Sequence, residues 1–113
     1  MATVTREQIR GMMDRDEDFV LVDTLPEKAY RESHLPGAIH IVSDDIREEA
    51  PRRMPDRDKP VVVYCANTAC KRSEKAAARL EELGYSRVYD YVEGKQDWRE
   101  AGLSLEWGAD PEA

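Results

Sequence analysis

Cysteine is scarce in this chain. Two in 113 residues are too few for a disulfide framework. No stretch approaches the roughly 20 apolar residues of a membrane-spanning helix. The first residues, Met1-Ala2-Thr3-Val4-Thr5-Arg6-Glu7, lack the basic start and apolar centre of a signal peptide. Positive charge is in deficit: 17 Lys and Arg stand against 24 Asp and Glu, a formal charge of -7. That balance argues against nucleic acid and against an anionic membrane as partners. Internal repeats, low-complexity tracts and long linkers are missing as well. These absences predict one soluble domain of a reducing compartment, with the cytoplasm expected. What is present suffices for a core. With 41% hydrophobic residues and 36% charged residues of mixed sign, a chain of this length can fold without disulfides or metal.

Apolar runs and helical patterns alternate along the chain. Thr5-Arg6-Glu7-Gln8 has the spacing of a capping box, and Ile9, Met12 and Met13 give the helix after it an apolar face. Asp14 to Asp18 reads as a solvated turn before a buried strand, Phe19-Val20-Leu21-Val22, that ends at Asp23. Pro26 suits the first turn of a short helix through Arg31. His34-Leu35-Pro36-Gly37-Ala38 turns into a short strand, Ile39-His40-Ile41. Ser43 is placed to cap a helix over 44–49, with Pro51 and Pro55 marking its end and a loop. Pro60 opens a central strand, Val61-Val62-Val63-Tyr64. A helix follows with Ala76, Ala77, Leu80 and Leu83 on one side, and Gly84 suits its C-terminus. Arg87 to Val92 is a further strand, and Gly94 precedes a last amphipathic helix around Trp98. Strands that are continuously apolar and alternate with helices predict a parallel α/β sheet covered on both faces. Ligands of such sheets bind beyond the carboxyl ends of the strands, where Asp23 and Cys65 both fall.

Cys65 carries the chemical signal. It ends an unbroken apolar run and opens a polar loop, Ala66-Asn67-Thr68-Ala69-Cys70-Lys71, that feeds a helix beginning near Arg72. Loop amides and the positive end of the helix favour an anion there. Such a setting is expected to pull a thiol below its ordinary pKa of about 8.5 and make it nucleophilic.

At these residues the chain resembles the rhodanese family, the single-domain sulfurtransferases. Three segments carry the likeness, in order and over nearly the whole chain. They are Leu21-Val22-Asp23 with Tyr30 and His34 to Ile41; Val62-Val63-Tyr64-Cys65 with Arg72-Ser73 and the alanine-rich helix ending Leu83-Gly84-Tyr85; and Val92-Glu93-Gly94 with Trp98 and Ala101-Gly102-Leu103. The resemblance implies a sheet of about five parallel strands with helices on both faces, in one domain over 1–108, and 109–113 reads as a flexible tail. It implies that Cys65 attacks the outer sulfur of a donor such as thiosulfate, or of a persulfide. The Cys65 persulfide then hands its terminal sulfur to cyanide or a thiol, without cofactor or metal. Ala66, Asn67, Thr68, Ala69, Cys70, Lys71 and Arg72 would bind the anionic donor, with Lys71 and Arg72 supplying charge. Asp23 would support them, either by accepting loop N–H groups or by capping the helix that follows.

Two departures stand out. Arg72 and Ser73 fall seven and eight residues after Cys65, where the family loop has its pair at five and six, so a wider loop is expected. Leu25 occupies the position, two residues beyond the aspartate, where the family usually has arginine.

Other readings compete. Cys65 as a small buried packing residue is the bland one. Cys70 is either a redox partner of Cys65 or an incidental thiol. His34 and His40 read as structural, and the spacing of the two cysteines and two histidines only brushes against a zinc pattern. A sulfur carrier that docks another protein through its acidic surface is the second functional class, and a thiol redox protein the third. Phosphatase or arsenate reductase chemistry needs an arginine six residues after the cysteine. That position is Lys71, which lacks the planar bidentate grip.

Overall fold

Thr5 does start a helix. In a computed structural model, which describes residues 1–111, Thr5 Oγ1 accepts from the Gln8 amide while the Gln8 side chain accepts from the Thr5 N–H. This reciprocal cap opens α1, Arg6–Asp14. The strands are β1 (Ala2–Thr3), β2 (Val20–Asp23), β3 (Ile39–His40), β4 (Val61–Tyr64) and β5 (Val88–Tyr91). They form one sheet in the order β1-β5-β4-β2-β3, and every pairing is parallel. The remaining helices are α2 (Glu27–Glu32), α3 (Ile46–Arg53), α4 (Arg72–Glu82) and α5 (Gly94–Glu100).

Both faces of the sheet are buried, which is why its strands read as unbroken apolar runs. On one face Val22, Val61, Val63 and Val88 pack with Ile46, Ala50, Ala76, Ala77 and Leu80 of α3 and α4. On the other, Leu21, Val62, Tyr64 and Tyr91 pack with Ile9, Tyr30, Leu35 and Trp98. Val61, Val62 and Val63 are each fully enclosed, at about 1.5–3 kcal/mol apiece. The strand below Cys65 is therefore among the most firmly held parts of the molecule.

The expected five strands are present, and four finer expectations are corrected. Only four strands are legible in the residues; the fifth is β1, two exposed residues that pair with Tyr89 and Asp90 at the sheet edge. Pro51 lies inside α3 rather than at its end. Ser43 does not cap that helix: it begins a 3-10 turn, Ser43–Asp45, and its hydroxyl donates to the Arg72 carbonyl at 2.9 Å. Pro26 sits at the N-cap of α2, one place before its first turn. The stretch from residue 109, expected to be loose, is held at Asp110, whose carboxylate is buried against Arg53 at 2.8 Å and accepts from the His40 amide at 2.7 Å. The rest of that stretch, 112–113, lies outside the described residues.

Candidate active site

Cys65 follows the last residue of β4, in the centre of the sheet, at the edge where Asp23 ends β2 and Tyr91 ends β5. Two helices fix it from different sides. Its sulfur lies 3.4 Å from Ser73 Oγ, in the first turn of α4. Its carbonyl accepts from the Lys95 amide at 2.9 Å, and the Ala66 carbonyl accepts from the Gln96 amide at 2.9 Å, both at the start of α5. Gly94 makes this approach possible. Its φ is +69°, and a Cβ there would stand 2.5 Å from the Cys65 carbonyl oxygen.

The loop is built around Asn67. The Cys70 amide donates to the Asn67 carbonyl at 3.1 Å and the Ala69 amide to Asn67 Oδ1 at 3.0 Å, a local side-chain turn. Thr68, Ala69 and Lys71 are exposed, while Ala66, Asn67, Cys70 and Arg72 are half-buried. The tip of the loop, Thr68 and Ala69, is exposed, and Ser73 reaches the sulfur from the loop's far end. Lys71 lies 3.8 Å from Glu74 at the surface.

Cys65 is 1% exposed. Burial pushes its thiol up, as does a side-chain hydrogen bond with Cys70, while the Ser73 hydroxyl and amide pull it down. The net direction is upward, the reverse of the expectation from loop and helix alone, because desolvation outweighs the donors. For Cys70 burial again raises, but hydrogen bonds from the Cys65 side chain and from the Ala66 and Arg72 amides, with the Arg72 charge, carry its thiol below the ordinary value. The Ala66 and Arg72 amides thus favour a negative charge on the sulfur of Cys70. Those of Ala69 and Cys70 are engaged with Asn67.

Asp23 neither receives the loop's N–H groups nor caps α2. Fully buried, it accepts from the Leu25 amide at 2.9 Å and from the Tyr64 hydroxyl at 2.9 Å, and it faces Lys95 Nζ at 3.6 Å. The Tyr64 oxygen in turn accepts from the Leu35 amide at 3.0 Å. Burial and then Asp23 hold this phenol well above its usual pKa. Lys95 is buried beside Asp23, and its Nζ also donates to the Ala29 carbonyl at 3.1 Å. Burial lowers its pKa, and the Asp23 charge works against that.

The histidines serve the frame. His34 Nδ1 is 2.8 Å from the Tyr30 carbonyl and its ring stacks on Tyr30 at 3.9 Å. His40 Nε2 is 2.6 Å from the Leu25 carbonyl. The zinc spacing is thereby set aside, and among the described residues no group of three His, Cys, Asp or Glu side chains is placed to hold a metal ion.

Sequence reasoning missed Ser73, Gly94 and Lys95 as parts of the site, and it missed Asp90. This aspartate of β5 is 4% exposed, and its Oδ1 has no hydrogen-bond partner among the described residues. Strand alternation puts it on the same face as Val88, under α4. Burial raises its pKa, and a side-chain hydrogen bond with Ser73 lowers it. An acid in an otherwise apolar buried strand was the signal that could have found it.

The chain matches the family described as Rhodanese-like domain over residues 5–101. It is 36% identical over 89 residues to the thiosulfate sulfurtransferase GlpE of Pseudomonas syringae, covering 75% of this chain and 76% of that protein. It is 29% identical over 85 residues to the GlpE of Coxiella burnetii, with the same coverage. The crystal structure of the BH2092 protein of Bacillus halodurans superposes with a TM-score of 0.87 at 28% identity, over 99% of this chain and 81% of that one.

Proposed function

Because this chain belongs to the rhodanese-like domain family, we propose that it moves sulfane sulfur through a persulfide on Cys65. The observation that carries this reading is the placement of Cys65 at the carboxyl end of the central strand, with its sulfur against Ser73 at the start of α4.

The thiolate of Cys65 attacks the outer sulfur of thiosulfate or of a persulfide donor. A bond forms between Cys65 Sγ and that sulfur as the donor's S–S bond breaks, and sulfite or a thiolate leaves. An acceptor then attacks the outer sulfur of the Cys65 persulfide. Cyanide departs as thiocyanate, or a thiol as a new persulfide, and the Cys65 thiolate is restored. Ser73 supports both stages, since its hydroxyl and amide favour the charged sulfur and so make Cys65 a better nucleophile and leaving group. Lys95 and Asp23 hold the loop's root in place without touching the sulfur. The exposed Lys71 and half-buried Arg72 supply positive charge at the rim for an anionic donor.

Intact mass spectrometry tests the reading. Thiosulfate is expected to add one sulfur atom per chain, and cyanide to remove it. Cys65→Ser is expected to abolish both loading and turnover. Full turnover by that variant would end the proposal.

A further inference from the structure

The two sulfurs differ in what they can reach. Cys65 is enclosed, whereas Cys70 is partly exposed and lines a surface depression of about 460 Å³ together with Ser43, Asp44, Lys71, Arg72 and Lys75. Cys65 is not part of that lining. Three cationic side chains there face one lining carboxylate; outside the lining, Arg79 lies 3.7 Å from Asp44 and Glu74 lies 3.8 Å from Lys71, so the surplus stays positive. This is a locally positive basin on a chain of formal charge -7, so it favours a small anion over the bulk of the surface. The Cys65 side chain and the amides of Ala66 and Arg72 all act on the Cys70 sulfur in the direction that favours its charged form. The sulfur that the loop presents to this basin is that of Cys70.

We infer that Cys70 is the outlet of the site: sulfane sulfur carried on Cys65 passes to Cys70 and leaves from there to a small, carboxylate-bearing thiol held in the basin. The inference rests on the sulfurtransferase reading above. In the internal step the Cys70 thiolate attacks the outer sulfur of the Cys65 persulfide, Cys65–S–SH. A bond forms between Cys70 Sγ and that sulfur, the bond to Cys65 Sγ breaks, and its electron pair stays on Cys65 as thiolate. The proton remains on the transferred sulfur, and no oxidant or reductant is consumed. Ser73 receives the departing charge through its hydroxyl and amide. In the second step the acceptor's thiolate takes the outer sulfur from Cys70 and leaves as a persulfide, returning Cys70 to thiolate. Lys71, Arg72 and Lys75 attract the acceptor's carboxylates.

The test uses glutathione as the acceptor. The full chain and its Cys70→Ser and Cys70→Ala variants are loaded with thiosulfate, freed of donor, mixed with glutathione and quenched by alkylation. Fragmentation of the peptide carrying both cysteines locates the extra sulfur, while glutathione persulfide is followed in time. The parent chain is expected to show sulfur on both residues. The variants are expected to hold it on Cys65 and deliver it at least roughly tenfold more slowly, since a positioned nucleophile is replaced by a diffusing one. Delivery at the parent rate by both variants would overturn the inference and leave the Cys65 persulfide intact. So would a Cys65–Cys70 disulfide with release of hydrosulfide, which means that Cys70 attacks the inner sulfur. Failure of Cys65 to load in any chain would instead sink the sulfurtransferase reading, and the outlet with it.

Discussion

Two thiols five residues apart share one hydrogen-bonded loop, and their environments push them in opposite directions. The surroundings favour a thiolate at Cys70 and disfavour one at Cys65, where burial comes first and the neighbouring Cys70 adds to it. Sulfur loading at Cys65 should therefore accelerate as pH rises through the thiol range. Removing the Cys70 thiol takes away two of the influences that raise Cys65 and leaves burial and the Ser73 donors. In Cys70→Ser the Cys65 midpoint is expected to move down, which a pH titration of the Cys65 ¹³Cβ chemical shift can follow. An unchanged or higher midpoint would show that the two thiols are not coupled. Cys65 itself was legible from its place after Val61-Val62-Val63-Tyr64. The effect of Cys70 on it was not, because sequence spacing does not say which of two sulfurs the amides of Ala66 and Arg72 will face.

At the scale of elements, the site is a joint between α4, α5 and the end of β4. The α5 side of the joint depends on Gly94. Any side chain there meets both a positive φ and the Cys65 carbonyl. Gly94→Ala is expected to cost about 1–3 kcal/mol from backbone strain alone, and more from displacing the loop's root. Urea denaturation measures the loss, and a slower sulfur loading rate should accompany it. An unaltered midpoint and rate would refute this account of the joint. Helices with an apolar stripe, such as α4, were readable from their period, and so were strands buried on both faces. Others were not. Pro51 reads as a stop, yet the helix runs through it to Arg53, since packing of Ile46 and Ala50 overrides the local signal. β1 is too short and too exposed to leave a pattern, being defined only by its partner β5. Lys95 carries no sign in the sequence that it turns inward, and only the fold shows it facing Asp23.

The molecule as a whole is closed by its C-terminal segment. Glu106 pairs with His34 through backbone hydrogen bonds, Gly108 donates to the Arg31 carbonyl, and Asp110 joins Arg53 to the amide of edge strand β3. A carboxylate on the β3 edge also occupies a donor that would otherwise invite another strand. Replacing Arg53 by Met leaves the buried Asp110 carboxylate without that cation. It is expected to destabilise the fold by about 3–5 kcal/mol, readable as a lower midpoint in thermal and urea unfolding. A loss within experimental scatter would mean that the segment does not secure the sheet edge. The composition pointed to a frayed end here, because a lone acid near a terminus carries no sign of the arginine 57 residues away that it meets.

The longer loop has a consequence for how such a domain can be adapted. Its root is pinned, at Cys65 by α5 and at Ser73 by α4, while its tip at Thr68 and Ala69 stands in solvent, tied back through the Ala69 amide to Asn67. Floor and rim are separable. The rim can be lengthened, recharged or given a second thiol to suit a different customer, while the reacting atom beneath keeps its address.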